Sequence, residues 1–203
     1  MKRTPLSSYL ASEREVEIIE NKALLLKVND PDRITGVIPK SKLMASKNNY
    51  HEVLVNWGLE EAQVLKNLKI KNVPSPITAQ YNWPGLYKPF DHQQETSAFL
   101  TMHRRGFVFN EQGTGKTASV IWAADYLMNL GMIKRMLVVC PLSIMDSAWR
   151  ADLFTFAIHR TVDIAYGTRE KREKIINSDA EIIIINTLFV IERSSMNEPN
   201  WIG

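Results

Sequence analysis

Residues 110–117 read Asn-Glu-Gln-Gly-Thr-Gly-Lys-Thr, between an apolar run, Gly106-Phe107-Val108-Phe109, and an apolar-periodic stretch over 117–130. A glycine-rich turn that leaves a strand and opens a helix is a phosphate cradle. Gly113 and Gly115 let the backbone curl so that successive N–H groups face inward. The helix starting at Lys116 and Thr117 adds the positive end of its dipole at the same place. Lys116 supplies a mobile charge for the β- and γ-phosphates, and the Thr117 hydroxyl is placed to ligate Mg2+. Asn110 stands where the general pattern has glycine, five residues before Gly115. Asparagine tolerates left-handed backbone better than most residues. The departure argues against small nucleotide kinases and small GTPases, and leaves the nucleotide site itself intact.

Strands and helices alternate around this loop. After the helix over 117–130, Gly131 sits where a C-terminal glycine belongs. A buried strand is expected at 136–139, stopped by Pro141, and Ser143 is placed to cap a helix holding Trp149 and Leu153. Val162 and Ile164 mark a further strand, residues 168–177 a charged helix, and residues 182–185 a strand that is apolar throughout. Such alternation implies an α/β fold with a parallel sheet covered by helices.

Upstream the texture differs. Pro74, Pro76, Pro84 and Pro89 cluster with Gly85 between residues 72 and 90, which reads as an extended connector and a domain boundary. Residues 1–80 read as a small α+β module. Residues 23–28 and 34–38 are short apolar runs expected as strands, Val53, Val55 and Trp57 alternate as a half-buried strand does, and residues 59–68 suit a helix. This part holds 12 Lys and Arg against 9 Asp and Glu, whereas residues 81–203 hold 13 of each. Lys40, Lys42 and Lys47, and Lys66, Lys69 and Lys71, form two basic groups that suit either a solvated surface or a phosphate-contacting face.

The lone Cys140 leaves no internal disulfide and no multi-cysteine zinc site. His51, His92, His103 and His159 show no metal-ligand spacing. No apolar run approaches the roughly 20 residues that span a bilayer. A soluble protein of the cytoplasm is expected, without a membrane partner.

Several segments together resemble the Swi/Snf-type branch of superfamily 2 helicases. Glu111-Gln112-Gly113-Thr114-Gly115-Lys116-Thr117 looks like motif I. Lys88-Pro89-Phe90-Asp91-His92-Gln93 looks like the Q motif, in which Gln93 would read the adenine edge and Phe90 or His92 would pack on the base. Val138-Val139-Cys140-Pro141-Leu142-Ser143-Ile144, with Trp149, resembles motif Ia, and Ile184-Ile185-Asn186-Thr187-Leu188 resembles motif Ib. The resemblance implies a RecA-like lobe over 81–203, ATP and Mg2+ as cofactors, and phosphate contacts to double-stranded DNA from the loops with Pro141, Ser143, Asn186 and Thr187. The wording around Asn82-Trp83-Pro84-Gly85-Leu86-Tyr87 is most similar to helicases encoded by bacteriophages, which would place the protein in a host cytoplasm.

The family's catalytic Asp-Glu pair has no counterpart. No Asp-Glu dipeptide occurs, and Glu192 stands alone before Arg193. A second motor lobe, supplying arginines in trans, would be needed in cis or as a separate chain. The expectation is a truncated or split product that holds nucleotide weakly in half a site and is not a competent motor. A DNA-binding or motor-complementing protein, and an unrelated P-loop enzyme, remain as alternatives.

Overall fold

The computed structural model describes residues 16–187. The chain divides between Gln80 and Tyr81 into two compact units.

In the first unit, β1 (Val16–Ile19), β2 (Ala23–Val28), β3 (Lys42–Ser46) and β4 (His51–Asn56) form an antiparallel sheet in the order β1-β2-β4-β3. The β1–β2 hairpin turns through Glu20 and Asn21, both at positive φ (49° and 54°), the geometry that matches strand twist in a tight turn. Register pairs Leu24 with Val55 and Leu26 with Val53. Side chains alternate along strands, so these four fall on one face and are buried there with Trp57 and Leu65. α2 (Leu59–Asn67) supplies Leu65, and Trp57 Nε1 donates to the Pro74 carbonyl at 2.9 Å. A short helix, α3 (Ile77–Gln80), ends the unit; Gln80 Nε2 donates to the Asn21 and Trp57 carbonyls.

Residues 34–38, expected as a strand, behave otherwise. Pro31 starts a single helical turn, α1 (Asp32–Thr35), with Thr35 N donating to Pro31 O at 3.0 Å. Ile34 and Ile38 are four residues apart, which puts both on one side of a helical turn, and both are buried. The apolar content of this segment suits a strand, but the spacing of Ile34 and Ile38 is that of a helical turn, and Ile38 N donates to Ile34 O at 2.9 Å.

In the second unit, β5 (Met136–Cys140), β6 (Val162–Ala165) and β7 (Ile182–Asn186) form a parallel sheet in the order β5-β7-β6. β7 is central, and Ile182 to Ile185 are buried on both faces, as its apolar run requires. One face packs Val138, Cys140, Ile182 and Ile184 against Ile121 of α5 (Lys116–Asn129) and Leu153 of α6 (Ala151–Phe156). The other packs Ala165, Ile183 and Ile185 against Ile175 and Ile176 of α7 (Arg169–Ile176).

α5 ends as expected. Gly131 has φ 69°, its N–H bonds Met128 O, and Met132 N bonds Leu127 O. These two bonds satisfy the last carbonyls of the helix. Ser143 does not cap a helix. It lies in a 3-10 turn, Leu142–Ile144, entered from Pro141, and a wider turn, Met145–Arg150, leads into α6. The ring of Pro141 fixes the chain direction earlier than a serine cap would. Trp149 is half-buried against the core.

Residues 106–109 are not a strand. They pair with none of the three strands, and Phe107 and Phe109 stack on each other with 81% and 89% exposure. An apolar run marks a segment able to join a sheet, but pairing needs a neighbouring edge.

The start of the second unit is laid along α5. Tyr81 and Trp83 are buried and meet Tyr126 and Trp122 edge-on, at 5.4 and 5.6 Å. Trp122 Nε1 donates to the Pro84 carbonyl at 2.9 Å. Beneath them lies Asp125, 2% exposed. Its carboxylate accepts from the Tyr81 hydroxyl, from Arg160 Nε at 2.6 Å, from His159 Nε2 at 2.7 Å and from Asn129 Nδ2 at 3.1 Å. Arg160 also bonds Glu181. Burial pushes the Asp125 carboxyl up, but the bonds from Tyr81, Arg160 and His159 outweigh it and hold the group below the ordinary carboxylate range. Burial, then the bond to Asp125, pushes the Tyr81 phenol far above its usual value.

A carboxyl depressed in the folded state stabilises above its unfolded value, about 3.9, and that contribution is lost as pH falls through the folded value. Asp125→Asn should therefore cost about 3 kcal/mol at pH 7 by urea unfolding, with the deficit shrinking in acid. Tyr81→Phe should cost about 1 kcal/mol. Wild-type stability in Asp125→Asn at pH 7 would contradict the assignment.

Candidate nucleotide-binding site

The phosphate loop has the backbone its glycines suggest. Gly113 and Gly115 are both left-handed, at φ 77° and 74°. Gly115 is the residue before α5, and no side chain caps that helix. The first amides of α5, from Lys116 onward, are thus left to an anion. Ser119 N closes the first turn on Gly115 O at 3.1 Å. Lys116 Nζ is held against its own loop, donating to Asn110 O at 2.9 Å and Glu111 O at 2.7 Å. The Thr114 hydroxyl donates to Glu111 O at 2.8 Å. Glu111 and Gln112 are exposed, and Thr117 is half-buried in the first turn of α5.

The loop is braced by α4 (Asp91–Met102), whose buried residues are Gln93, Thr96, Ser97 and Thr101. The first three recur at i, i+3 and i+4, so they share one face. That face is polar, and its groups are hydrogen-bonded. Gln93 Nε2 and His92 Nε2 each donate to Thr114 O at 3.1 Å. Thr96 Oγ1 accepts from Asn110 Nδ2 at 2.9 Å. Ser97 Oγ donates to Ser119 O at 2.9 Å. A Cβ on Gly115 would collide with the Gln93 amide nitrogen, so glycine is needed there for contact as well as for φ.

Gln93 thus faces the phosphate loop. Its oxygen accepts from Phe90 N at 3.0 Å and its nitrogen binds Thr114 O, leaving one hydrogen and one lone pair for a base. Phe90 is 68% exposed, and its ring lies near-parallel to that of His92, 10° apart in plane with centroids at 5.8 Å. Asn110 is not among the residues at positive φ. The tolerance of asparagine for left-handed backbone therefore does not explain its presence; its side-chain bond to Thr96 does.

The four residues expected to touch nucleic acid fall together. β5 and β7 pair in parallel with Cys140 opposite Asn186. The segments with Pro141 and Ser143, after β5, and with Asn186, the last residue of β7, and Thr187 therefore lie at the same end of the sheet. Pro141, Ser143 and Thr187 are exposed. Glu192 and Leu188 lie outside the described residues. Among the described residues no group of three His, Cys, Asp or Glu could hold a metal, and no helix is long and apolar enough to cross a membrane. Sequence reading missed Thr96, Ser97 and Asp125. The first two carried a signal, polar residues at helical spacing from Gln93.

The geometry is that of an α/β lobe in which a glycine-rich turn opens α5. The family described as type III restriction enzyme, res subunit, matches residues 77–200, more than half of the chain. The chain therefore belongs to that family, within the superfamily 2 helicases, and residues 77–200 lie in its helicase-type ATPase domain. Proteins of this kind use ATP with Mg2+. No curated protein matches the chain. Among solved structures, the SWI2/SNF2 ATPase core of Sulfolobus solfataricus in complex with double-stranded DNA is similar, with 24% identity and a TM-score of 0.48. The match covers 59% of this chain and 25% of that one.

Gly113→Ala and Gly115→Ala separate the two demands. Alanine at Gly113 meets only the left-handed penalty, about 1–2 kcal/mol, since no atom lies within 4 Å of its Cβ. Alanine at Gly115 must also displace Gln93. It should lower the unfolding midpoint further and abolish MgATP binding. Equal midpoints for the two variants would contradict the Gly115–Gln93 contact.

Proposed function

We propose that this chain is the ATP-binding part of a Swi/Snf-type motor that acts on double-stranded DNA. The observation that carries this reading is the phosphate loop: two left-handed glycines, an uncapped start of α5, and Lys116 resting on carbonyls that it can leave. The triphosphate would lie against the amides of the loop and of the first turn of α5, with Lys116 on the β- and γ-phosphates. Thr117 would ligate Mg2+, whose charge offsets that developing on the phosphates. Phe90 and His92 present the rings against which a base could pack, and Gln93 has one donor and one acceptor left for its edge.

The strand-end loops support the DNA half of the reading. Exposed Ser143 and Thr187, with Asn186 beside them, offer hydroxyls and an amide of the kind that bind phosphate oxygens without reading sequence, and Pro141, which has no N–H to donate, sets the turn that presents Ser143. The two basic lysine groups of residues 1–80 would add contacts of the same sort. The 203 residues contain no Asp-Glu pair. Turnover would need groups from a second lobe, in cis or in trans, and the chain alone would be a half-site.

Titration of MgATP into the wild type and Lys116→Ala tests the reading. Lys116→Ala should bind at least about tenfold more weakly, a difference of about 1.4 kcal/mol. Phosphate release should be absent from both, with or without duplex DNA. Equal binding by the two proteins would overturn the nucleotide site. Lys116-dependent release stimulated by DNA would overturn the half-site.

A further inference from the structure

Asn110 breaks the usual glycine pattern of a phosphate loop, yet its backbone is not left-handed. What it adds is a side chain, and that side chain has one partner in the structure. Asn110 Nδ2 donates to Thr96 Oγ1 at 2.9 Å, and Thr96 Oγ1 donates to His92 O at 2.7 Å. Thr96 is buried and sits in the middle of α4; Asn110 is half-buried at the mouth of the loop. The other polar contacts of α4 reach the C-terminal part of the loop and α5, at Thr114 O and Ser119 O. The Asn110–Thr96 bond is the one that reaches the N-terminal part. The peptide it holds carries the Asn110 carbonyl, which in turn accepts from Lys116 Nζ.

We propose that Asn110 and Thr96 form a positioning pin that fixes the entry of the phosphate loop on α4 and so sets how tightly the loop holds a polyphosphate. The loop is then fastened to one helix at both of its ends. A glycine at position 110 would leave the entry peptide to sample many backbone states, and binding would have to order it each time. With the pin in place that ordering precedes binding. The pin touches no reacting atom, so its effect passes through the loop amides and the resting place of Lys116. The inference rests on the ATP reading above.

The test uses the whole chain, with MgATP and inorganic tripolyphosphate as probes. Thr96→Val keeps the shape of the side chain and the helical N–H but removes the acceptor. Asn110→Ala and Asn110→Gly remove the donor and leave the Thr96–His92 bond in place. Each should weaken both probes by about 5–10-fold, the scale of one hydrogen bond. The double variant Thr96→Val with Asn110→Ala should lose no more than Thr96→Val alone, because the bond that Asn110→Ala removes is already gone. Thr96→Ser should restore wild-type affinity for both probes.

Failure has two distinguishable forms. Wild type and Lys116→Ala binding the probes equally would overturn the nucleotide reading and the pin with it. Lys116-dependent binding that is unchanged in Thr96→Val and Asn110→Ala would overturn the pin alone. So would additive losses in the double variant, or a loss that Thr96→Ser fails to restore, since both describe loosening of α4 and not a bond to Asn110.

Discussion

The second unit turns on the contact between α4 and the turn that opens α5. The start of α5 has no side-chain cap of its own, so its turn has to be held from outside. Here α4 holds it, with Gln93 and His92 on Thr114 O and Ser97 on Ser119 O. Burying such groups would be costly if any were left without a partner, at about 1–3 kcal/mol for each. Because each is matched, the stripe adds geometric definition where an apolar stripe would add only area. Gly115 completes the fit, since a larger residue would push Gln93 off the loop.

The far half of α5 is held by different chemistry. Asp125 is buried and ionised, and it draws Tyr81, His159, Arg160 and Asn129 to one point. A single buried charge would not be tolerated; this one is neutralised by Arg160 and given four hydrogen bonds. The aromatic contacts among Tyr81, Trp83, Trp122 and Tyr126 exclude water from the same region. Pro84, which the sequence suggests as connector, is part of this packing: Pro84 O takes the Trp122 indole N–H. α5 is fixed at one end by a polar brace and at the other by an ionic and aromatic one, and the loop that opens the helix is held between α4 and α5.

Much of this was legible in the residues. The phosphate loop, α5, Gly131, and strands β5, β6 and β7 carry local signals: left-handed positions only glycine fills readily, and apolar runs with one period. Residues 34–38 show where a local signal was misread, because Ile34 and Ile38 are spaced for a helical turn that Pro31 begins. Residues 106–109 show the other limit. Phe107, Val108 and Phe109 form an apolar run like that of a strand, but whether such a segment pairs depends on an edge elsewhere in space. Ser143 lost its expected cap role to Pro141, two residues earlier, whose φ was already fixed.

The polar stripe was harder to read for a physical reason. Hydrophobic periodicity announces a buried face because burial of apolar groups needs no specific partner. A buried polar face is stable only when each donor meets its acceptor, and the partners lie 14 to 22 residues away: the Asn110 amide, which donates to Thr96, and the Thr114 and Ser119 carbonyls, which accept from Gln93 and Ser97. Gln93, Thr96 and Ser97 at helical spacing look like an exposed face until the loop is in place. Asn110 belongs to the same case. Taken alone it is a substitution that a loop can tolerate; opposite Thr96 it is a donor aimed at an acceptor. The same distance that hides the stripe from a local reading makes it informative in the structure, since three bonds from one helix to the loop and a fourth to the first turn of α5 require all three to be placed together.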